Sequence, residues 1–493
     1  MDPTIKLILL LIFFSIACAS TTEKKFEHCE RVVKDWALSS LHQGINNDKH
    51  TLKDLLFFLH VPRTGGRSYY HCFLTKLYPS SQNCPLSYDK LRFDPSKTKC
   101  RLLATHDDYS MMEKLQKERT SVVTIVRNPV DRVLGSYEFS VEVAARSLVH
   151  PDLASATKMS KHVRAKTNGM SALDVWPWKY LVPWMRGDLF SRRDVRRQKG
   201  SSEAKSDSPY DMEDMLMPLK EFVDDPIVHD LVHNGATFQI AGLTNNSYLA
   251  EGHEIRHCVQ KHKSLGQHVL HVAKKRLDAM LYVGLTAEQK ESATMFANVV
   301  GAQVISQLRD AKFSMDTSAD NQSDYISSWR LDSELESNID QSNSTVLYEM
   351  TTVQDESKTK RENMTVAELI EVYEGCSSSM LKTQSRRRFA SLKRISPANF
   401  SKEARRSISD EVLQQIRTLN YLDMELFEHA REIFAMRRVL MGNIDMKDGS
   451  EGKFDRLRVF ELWKIPSLVV LFILLLVLFV FANARRRVSK VKV

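Results

Sequence analysis

Two apolar blocks, each followed by an arginine-bearing loop and a helix-like pattern, dominate the first third of the chain. Leu55, Leu56, Phe57, Phe58 and Leu59 run without a polar break, the pattern of a strand covered on both faces. Pro62, with no N–H to give to a ladder, ends it. Gly65 and Gly66 come next, and Tyr69, Tyr70 and Phe73 then mark a helix. About 60 residues further on, Ser121 to Val126 is β-branched and strand-like, and Arg127-Asn128-Pro129 leads into a second helix carrying Asp131, Arg132 and Ser136.

From Asp54 to Arg146 strand and helix signals alternate, as a parallel α/β sheet requires. Leu281 to Leu285 predicts another strand, and Thr286 with Gln289 forms a capping-box pattern for a helix through Phe296. Val412, Ile416, Leu419, Leu422, Leu426 and Ala430 lie on one stripe, predicting a helix over 411–440. Between these regions, 151–215 is mixed and basic, with an aromatic cluster at Trp176, Trp178, Tyr180 and Trp184; it reads as an insertion beside an acceptor cleft. Serine, acidic residues and glycosylation sequons fill 310–361, the composition of a polar loop or linker.

Both ends carry targeting patterns. Leu7 to Ala17 is a short apolar block behind Lys6, and Ala17-Cys18-Ala19 is a small-residue cleavage site, so 1–19 reads as a signal peptide. Ile465 to Ala484 is almost wholly apolar and Arg485-Arg486-Arg487 follows at once, the signature of a C-terminal transmembrane helix over 465–484 with a cytoplasmic tail over 485–493. A single-pass type I membrane protein is expected, with 20–464 on the luminal side and a nucleotide-binding core over 54–150.

Cysteine usage fits that compartment. Without Cys18 the chain keeps Cys29, Cys72, Cys84, Cys100, Cys258 and Cys376, an even number open to many pairings. Sequons stand at Asn245, Asn321, Asn343, Asn363 and Asn399. Neither the cysteines nor the histidines have zinc spacing, and no metal is expected. The formal charge of +9 makes acidic peptides or glycans reasonable partners; nucleic acid is not expected for a luminal domain.

The first strand, glycine loop and helix make a geometry that binds phosphate. Loop N–H groups converge on the helix N-terminus, whose dipole attracts anions. Arg63 and Arg67 add fixed charge, and Thr64 and Ser68 add hydroxyl donors. A Walker loop is disfavoured: Val61 stands at its first glycine position and Arg67 at its lysine position. Arg127 stands at the carboxyl end of the second strand, where open α/β sheets hold their ligands.

His60-Val61-Pro62-Arg63-Thr64-Gly65-Gly66-Arg67-Ser68 resembles the 5′-phosphosulfate loop of Golgi sulfotransferases, and Arg127-Asn128-Pro129 with its helix resembles their 3′-phosphate site. The likeness is to the heparan sulfate 6-O-sulfotransferase group, continuing in 273–296 and 420–434; over the whole chain it is greatest to plant-type tyrosylprotein sulfotransferases, which carry their anchor at the C-terminus. It implies a P-loop-like, PAPS-dependent sulfotransferase fold, with a central parallel sheet flanked by helices, in the Golgi membrane. Secreted peptides or proteins with acidic residues near tyrosine are the implied acceptors.

By that resemblance, Arg63, Thr64, Gly65, Gly66, Arg67, Ser68, Arg127 and Ser136 bind the donor, and His106 is the base, oriented by Asp107 or Asp108. The family loop usually has lysine where Arg63 stands; arginine acts as an electrostatic clamp there. The family serine falls at Gly135, so Ser136 is turned by about 100° from it. Two alternatives remain open: a carbohydrate 6-O-sulfotransferase, and a catalytically silent luminal binding protein.

Overall fold

The computed structural model describes residues 24–41, 50–84, 100–156, 158, 187–198, 208–211, 216–315, 364–393 and 400–445. The signal segment, the apolar stretch 465–484, the tail 485–493, the Trp176–Trp184 cluster and residues 316–363 lie outside them. Among the described helices none is long and apolar enough to cross a membrane. Met1–Met436 form one compact unit and Arg437–Val493 another.

Four strands, β1 (Leu55–Leu59), β2 (Leu102–Thr105), β3 (Thr120–Val126) and β4 (Tyr282–Leu285), make one sheet in the order β2-β1-β3-β4, all parallel. Phe57 of β1 pairs with Leu103 and with Val122. β1 and β3 are buried along almost their whole length on both faces, which is why their sequences are mainly apolar or β-branched. The chain leaves β1 for β2 on one side and returns past it to β3 on the other. Such a reversal opens a crevice at the carboxyl ends of β1 and β3.

The helices that matter for the site are α1 (Gly66–Tyr69), α2 (Pro129–Ser147), α3 (Gly235–Ile240), α4 (Gly252–Lys261), α5 (Gly266–Ala279), α6 (Gln289–Phe296), α7 (Val366–Leu392), α8 (Asp410–Leu419) and α9 (Tyr421–Asp445). α1 continues through a wide π-turn at Tyr70–Leu74, where Phe73 stacks on Tyr373 of α7 with ring centres 4.0 Å apart. Asn128 caps α2, its Oδ1 accepting from the N–H groups of Val130 and Asp131, and Pro129 takes the first helical position, where a missing N–H costs nothing.

Two expectations change. Thr286 does not cap α6: its hydroxyl donates to the Thr64 carbonyl at 2.6 Å, so it ties the β1 loop to the end of β4. A capping box does occur at Thr365 and Glu368, opening α7 just beyond the polar tract. The stripe over 411–440 is divided into α8 and α9 at Asn420, whose side chain turns inward to the carbonyls of Val232 and Ile416.

The described ends of the 151–215 segment pack into the core: Leu189, Phe190, Tyr210 and Leu216 join Tyr137 and Val141 of α2 and Ile416 of α8. The six cysteines pair as Cys29–Cys258, Cys72–Cys376 and Cys84–Cys100. The first ties the N-terminal helical segment to α4, and the second fastens α7 to the π-turn behind the glycine loop.

Candidate active site

The loop after β1 is shaped by two glycines for two different reasons. Gly65 has φ +81, a left-handed conformation that side chains disfavour. Gly66 is needed for space: a Cβ there would lie 2.4 Å from the His60 ring and 2.9 Å from Phe58. His60 itself stacks on Phe58. Burial, then the neighbouring His106 and Arg63, holds its imidazole well below the usual histidine range, so the ring is neutral at physiological pH.

Arg63 has φ 65, a strained value for a residue other than glycine. Its guanidinium lies over the Phe139 ring at 4.7 Å, and its Nε is buried without a hydrogen-bond partner. Arg127 reaches the same place from the end of β3, its Nη1 donating to the Arg63 carbonyl at 3.1 Å. Two guanidiniums thus meet at the crevice. Burial, then the charge of Arg127, lowers the Arg63 pKa to about 10, which still leaves it charged at neutral pH. Burial also lowers that of Arg127.

Gly135 faces this pair. A Cβ at 135 would stand 3.1 Å from Arg127 Nη1 and 3.7 Å from Arg63 Nε. Ser136, one step round α2, is fully buried and donates its hydroxyl to the Arg132 carbonyl at 2.9 Å. The rotation expected from the one-residue offset is therefore present, and the hydroxyl proton is spent inside the helix. Thr64 likewise donates to the Val61 carbonyl at 2.8 Å, bracing the loop from within. Arg67 and Ser68 stand in the first turn of α1.

His106 follows β2 on the other side of β1. Its ring centre is 4.2 Å from that of His60, and its Nδ1 is 3.1 Å from the His60 carbonyl. A carbonyl only accepts, so Nδ1 carries the hydrogen, which in the neutral form of the ring puts the lone pair on Nε2. The Asp107 and Asp108 carboxylates, expected to orient this ring, also accept hydrogen bonds from other side chains. Asp107 accepts from Thr105 and Asn246. Asp108 accepts from Ser110 and from Thr244, and burial raises its pKa. The His60 carbonyl is thus a direct hydrogen-bond partner of this ring.

The structure thus brings Arg63, Gly65, Gly66, Arg67, Ser68, Arg127 and His106 to one edge of the sheet. Buried guanidinium groups with an unpaired donor, beside a glycine loop at a helix start, suit a phosphosulfate or phosphate group. Among the described residues no group of three or more His, Cys, Asp or Glu side chains is placed to hold a metal ion.

Compared with known proteins, the chain is 53% identical over 506 aligned positions to a protein-tyrosine sulfotransferase of Arabidopsis thaliana, with both chains covered in full. This chain belongs to the protein-tyrosine sulfotransferase family. No family model matches it. In this sulfotransferase the residues that the sequence leaves unmarked are Phe139, Glu138 and Gln239, and Thr286 is marked only as a helix cap. Glu138 is buried on α2 and receives Arg405 at 2.7 and 2.9 Å, Arg388 at 2.9 Å and Tyr210 at 2.8 Å. Burial alone would raise its pKa, but Arg405 and Arg388 outweigh it and hold the carboxylate ionised. Through Glu138 the segments near 208, 388 and 405 are anchored to the helix that carries Gly135. A charged residue in an otherwise apolar helical stretch is the only trace of this in the sequence.

Proposed function

We propose that this sulfotransferase moves the sulfuryl group of PAPS to the phenolic oxygen of tyrosines in peptides and proteins, leaving tyrosine O-sulfate and PAP. Family membership sets the reaction class. The observation that carries the site assignment is the meeting of Arg63 and Arg127 across the β1–β3 crevice, with His106 at the neighbouring strand end.

In the transfer the phenolic oxygen bonds to sulfur as the bond from sulfur to the bridging phosphate oxygen breaks. The phenolic proton goes to His106 Nε2, and the electron pair of the broken bond leaves on the phosphate of PAP. Arg63, Arg67 and Arg127 offset the charge that collects on the leaving phosphate, as electrostatic preorganisation requires. Arg63 serves as a clamp, since its pKa of about 10 keeps it protonated through the reaction.

Acceptor tyrosines lie near acidic residues in this reading, because a chain of charge +9 steers anionic substrates. The catalytic unit is luminal in the Golgi, on a single-pass type I anchor at 465–484; the signal-like N-terminus, the basic flank of the apolar stretch and the three disulfides support that placement.

The deciding experiment offers labelled PAPS with an acidic tyrosine peptide, its phenylalanine version and a heparan-type glycan, using wild type and His106→Ala. Label on the tyrosine peptide alone, lost in His106→Ala, is expected. Label on the glycan would make it a carbohydrate enzyme, and no label on any acceptor, with PAP still bound, would indicate a silent binding protein.

A further inference from the structure

Gln239 lies near the end of α3 and has no exposed surface. Its Nε2 lies within hydrogen-bond reach of the carbonyls of His106 at 2.9 Å, Asp107 at 3.1 Å and His60 at 3.2 Å, its two hydrogens shared among the three. Three carbonyls decide which end of the amide points there, because only nitrogen can donate. They belong to the two segments that leave β1 and β2, so one side chain clasps both strand exits. The His60 oxygen is also the atom that meets His106 Nδ1 at 3.1 Å.

The other end of the amide is as informative. Gln239 Oε1 is buried without a hydrogen-bond partner, an arrangement that folded proteins avoid. Neighbouring Phe238, Ile240 and Ala241 are all buried, so methionine or leucine would satisfy packing at 239 without that penalty. A glutamine whose oxygen is left unpaired is kept for what its nitrogen holds.

We infer that Gln239 is a positioning residue for His106: by clamping the His60 carbonyl it fixes the acceptor of the Nδ1–H, and so the tautomer and the aim of the imidazole that takes the acceptor's proton. The inference rests on His106 being the base in the reaction proposed above. Gln239 touches no reacting atom; it acts through the His60 backbone.

The test is a double-mutant cycle in the full chain, with Gln239→Met alone and in the His106→Ala background, reading kcat and KM on an acidic tyrosine peptide and PAP affinity by calorimetry. Expected for Gln239→Met is a fall in kcat of about tenfold or more, as for a misaimed general base, with PAP affinity and both KM values held. In His106→Ala the same change should add no further loss, since the group it positions is gone. An equal loss in both backgrounds, an unchanged kcat, or a parallel fall in PAP affinity would overturn the inference. Should Gln239→Met fail to fold, Gln239→Glu, which keeps the shape and loses the amide donor, must reproduce the pattern or the inference fails. Full activity of His106→Ala alone would instead remove the base assignment.

Discussion

Asp423 of α9 and Arg132 of α2 form an ion pair at 2.8 Å with both side chains 1% exposed. The same carboxylate accepts from the N–H groups of Ala236 and Thr237 and from the Thr237 hydroxyl, capping α3. In return Asn234, just before α3, accepts from the N–H groups of Leu422 and Asp423 at the start of α9. The two helices cap each other, and α3 carries Gln239 to the strand exits. A motif more than 300 residues from the glycine loop thereby belongs to the same site.

Removing Asp423 leaves Arg132 buried without its counter-charge and two helix-terminal donors unpaired. Asp423→Ala is expected to cost about 3–5 kcal/mol, the range for breaking a buried pair. A denaturant titration reads this directly; a loss below about 1 kcal/mol, the scale of a surface pair, would show that the pair holds nothing together.

Gly66→Ala drives a methyl group into the His60 ring, which stacks on Phe58. Overpacking of this kind costs about 1–3 kcal/mol, and PAP affinity should fall with it as the loop is displaced. Adding His60→Ala to Gly66→Ala should restore part of the melting temperature. If the double variant melts no higher than the single one, the clash is not the cause.

At Gly135 a small side chain meets Arg127 at the limit of ordinary contact, whereas a large one must expel it. Gly135→Leu is expected to weaken PAP binding by about 10- to 100-fold, matching the loss of one charge-assisted hydrogen bond of roughly 1.5–3 kcal/mol. Arg127→Ala should do the same, and the two together little more. Calorimetric affinities that simply add across the pair would separate the two residues.

Stability should decline on mild acidification. The folded His60 imidazole titrates well below 6.5, and His233 is pushed down to about 4 by burial and by His229. Their contribution is complete above the unfolded value near 6.5; as pH falls below it the unfolded chain takes up protons that the folded one refuses, and stability drops by about 1.4 kcal/mol per pH unit for each group. The loss continues down to the folded pKa of each. Melting temperatures from pH 8 to 5 should fall less steeply for His60→Phe than for wild type; parallel curves would contradict the assignment.

Much of the fold was legible because its signals are local. The continuous apolar run at 55–59 and the β-branched run at 121–126 read as buried strands, and strands alternating with helices imply crossovers in a parallel sheet. Arg63 and Arg127 were legible as candidate site residues because one stands in the loop after β1 and the other directly follows β3. Thr286 was misread, since a threonine three residues before glutamine has the local form of a cap, while its actual partner, the Thr64 carbonyl, lies 222 residues away. Adjacency in sequence likewise said nothing of Thr244 and Asn246, which hydrogen-bond the Asp108 and Asp107 carboxylates beside His106.

By itself the sequence determined the strands, the glycine loop, the even cysteine count and the arginines at strand ends, because each follows from the chemistry of neighbouring residues. Only the tertiary structure decided that Gly135 faces two guanidiniums, that Cys72 pairs with Cys376, that the His60 carbonyl is a hydrogen-bond partner of His106, and that Gln239 and Asp423 brace the strand exits from behind. Those relations join residues far apart in the chain, and their energy exists only once the sheet order has brought the partners within hydrogen-bond reach.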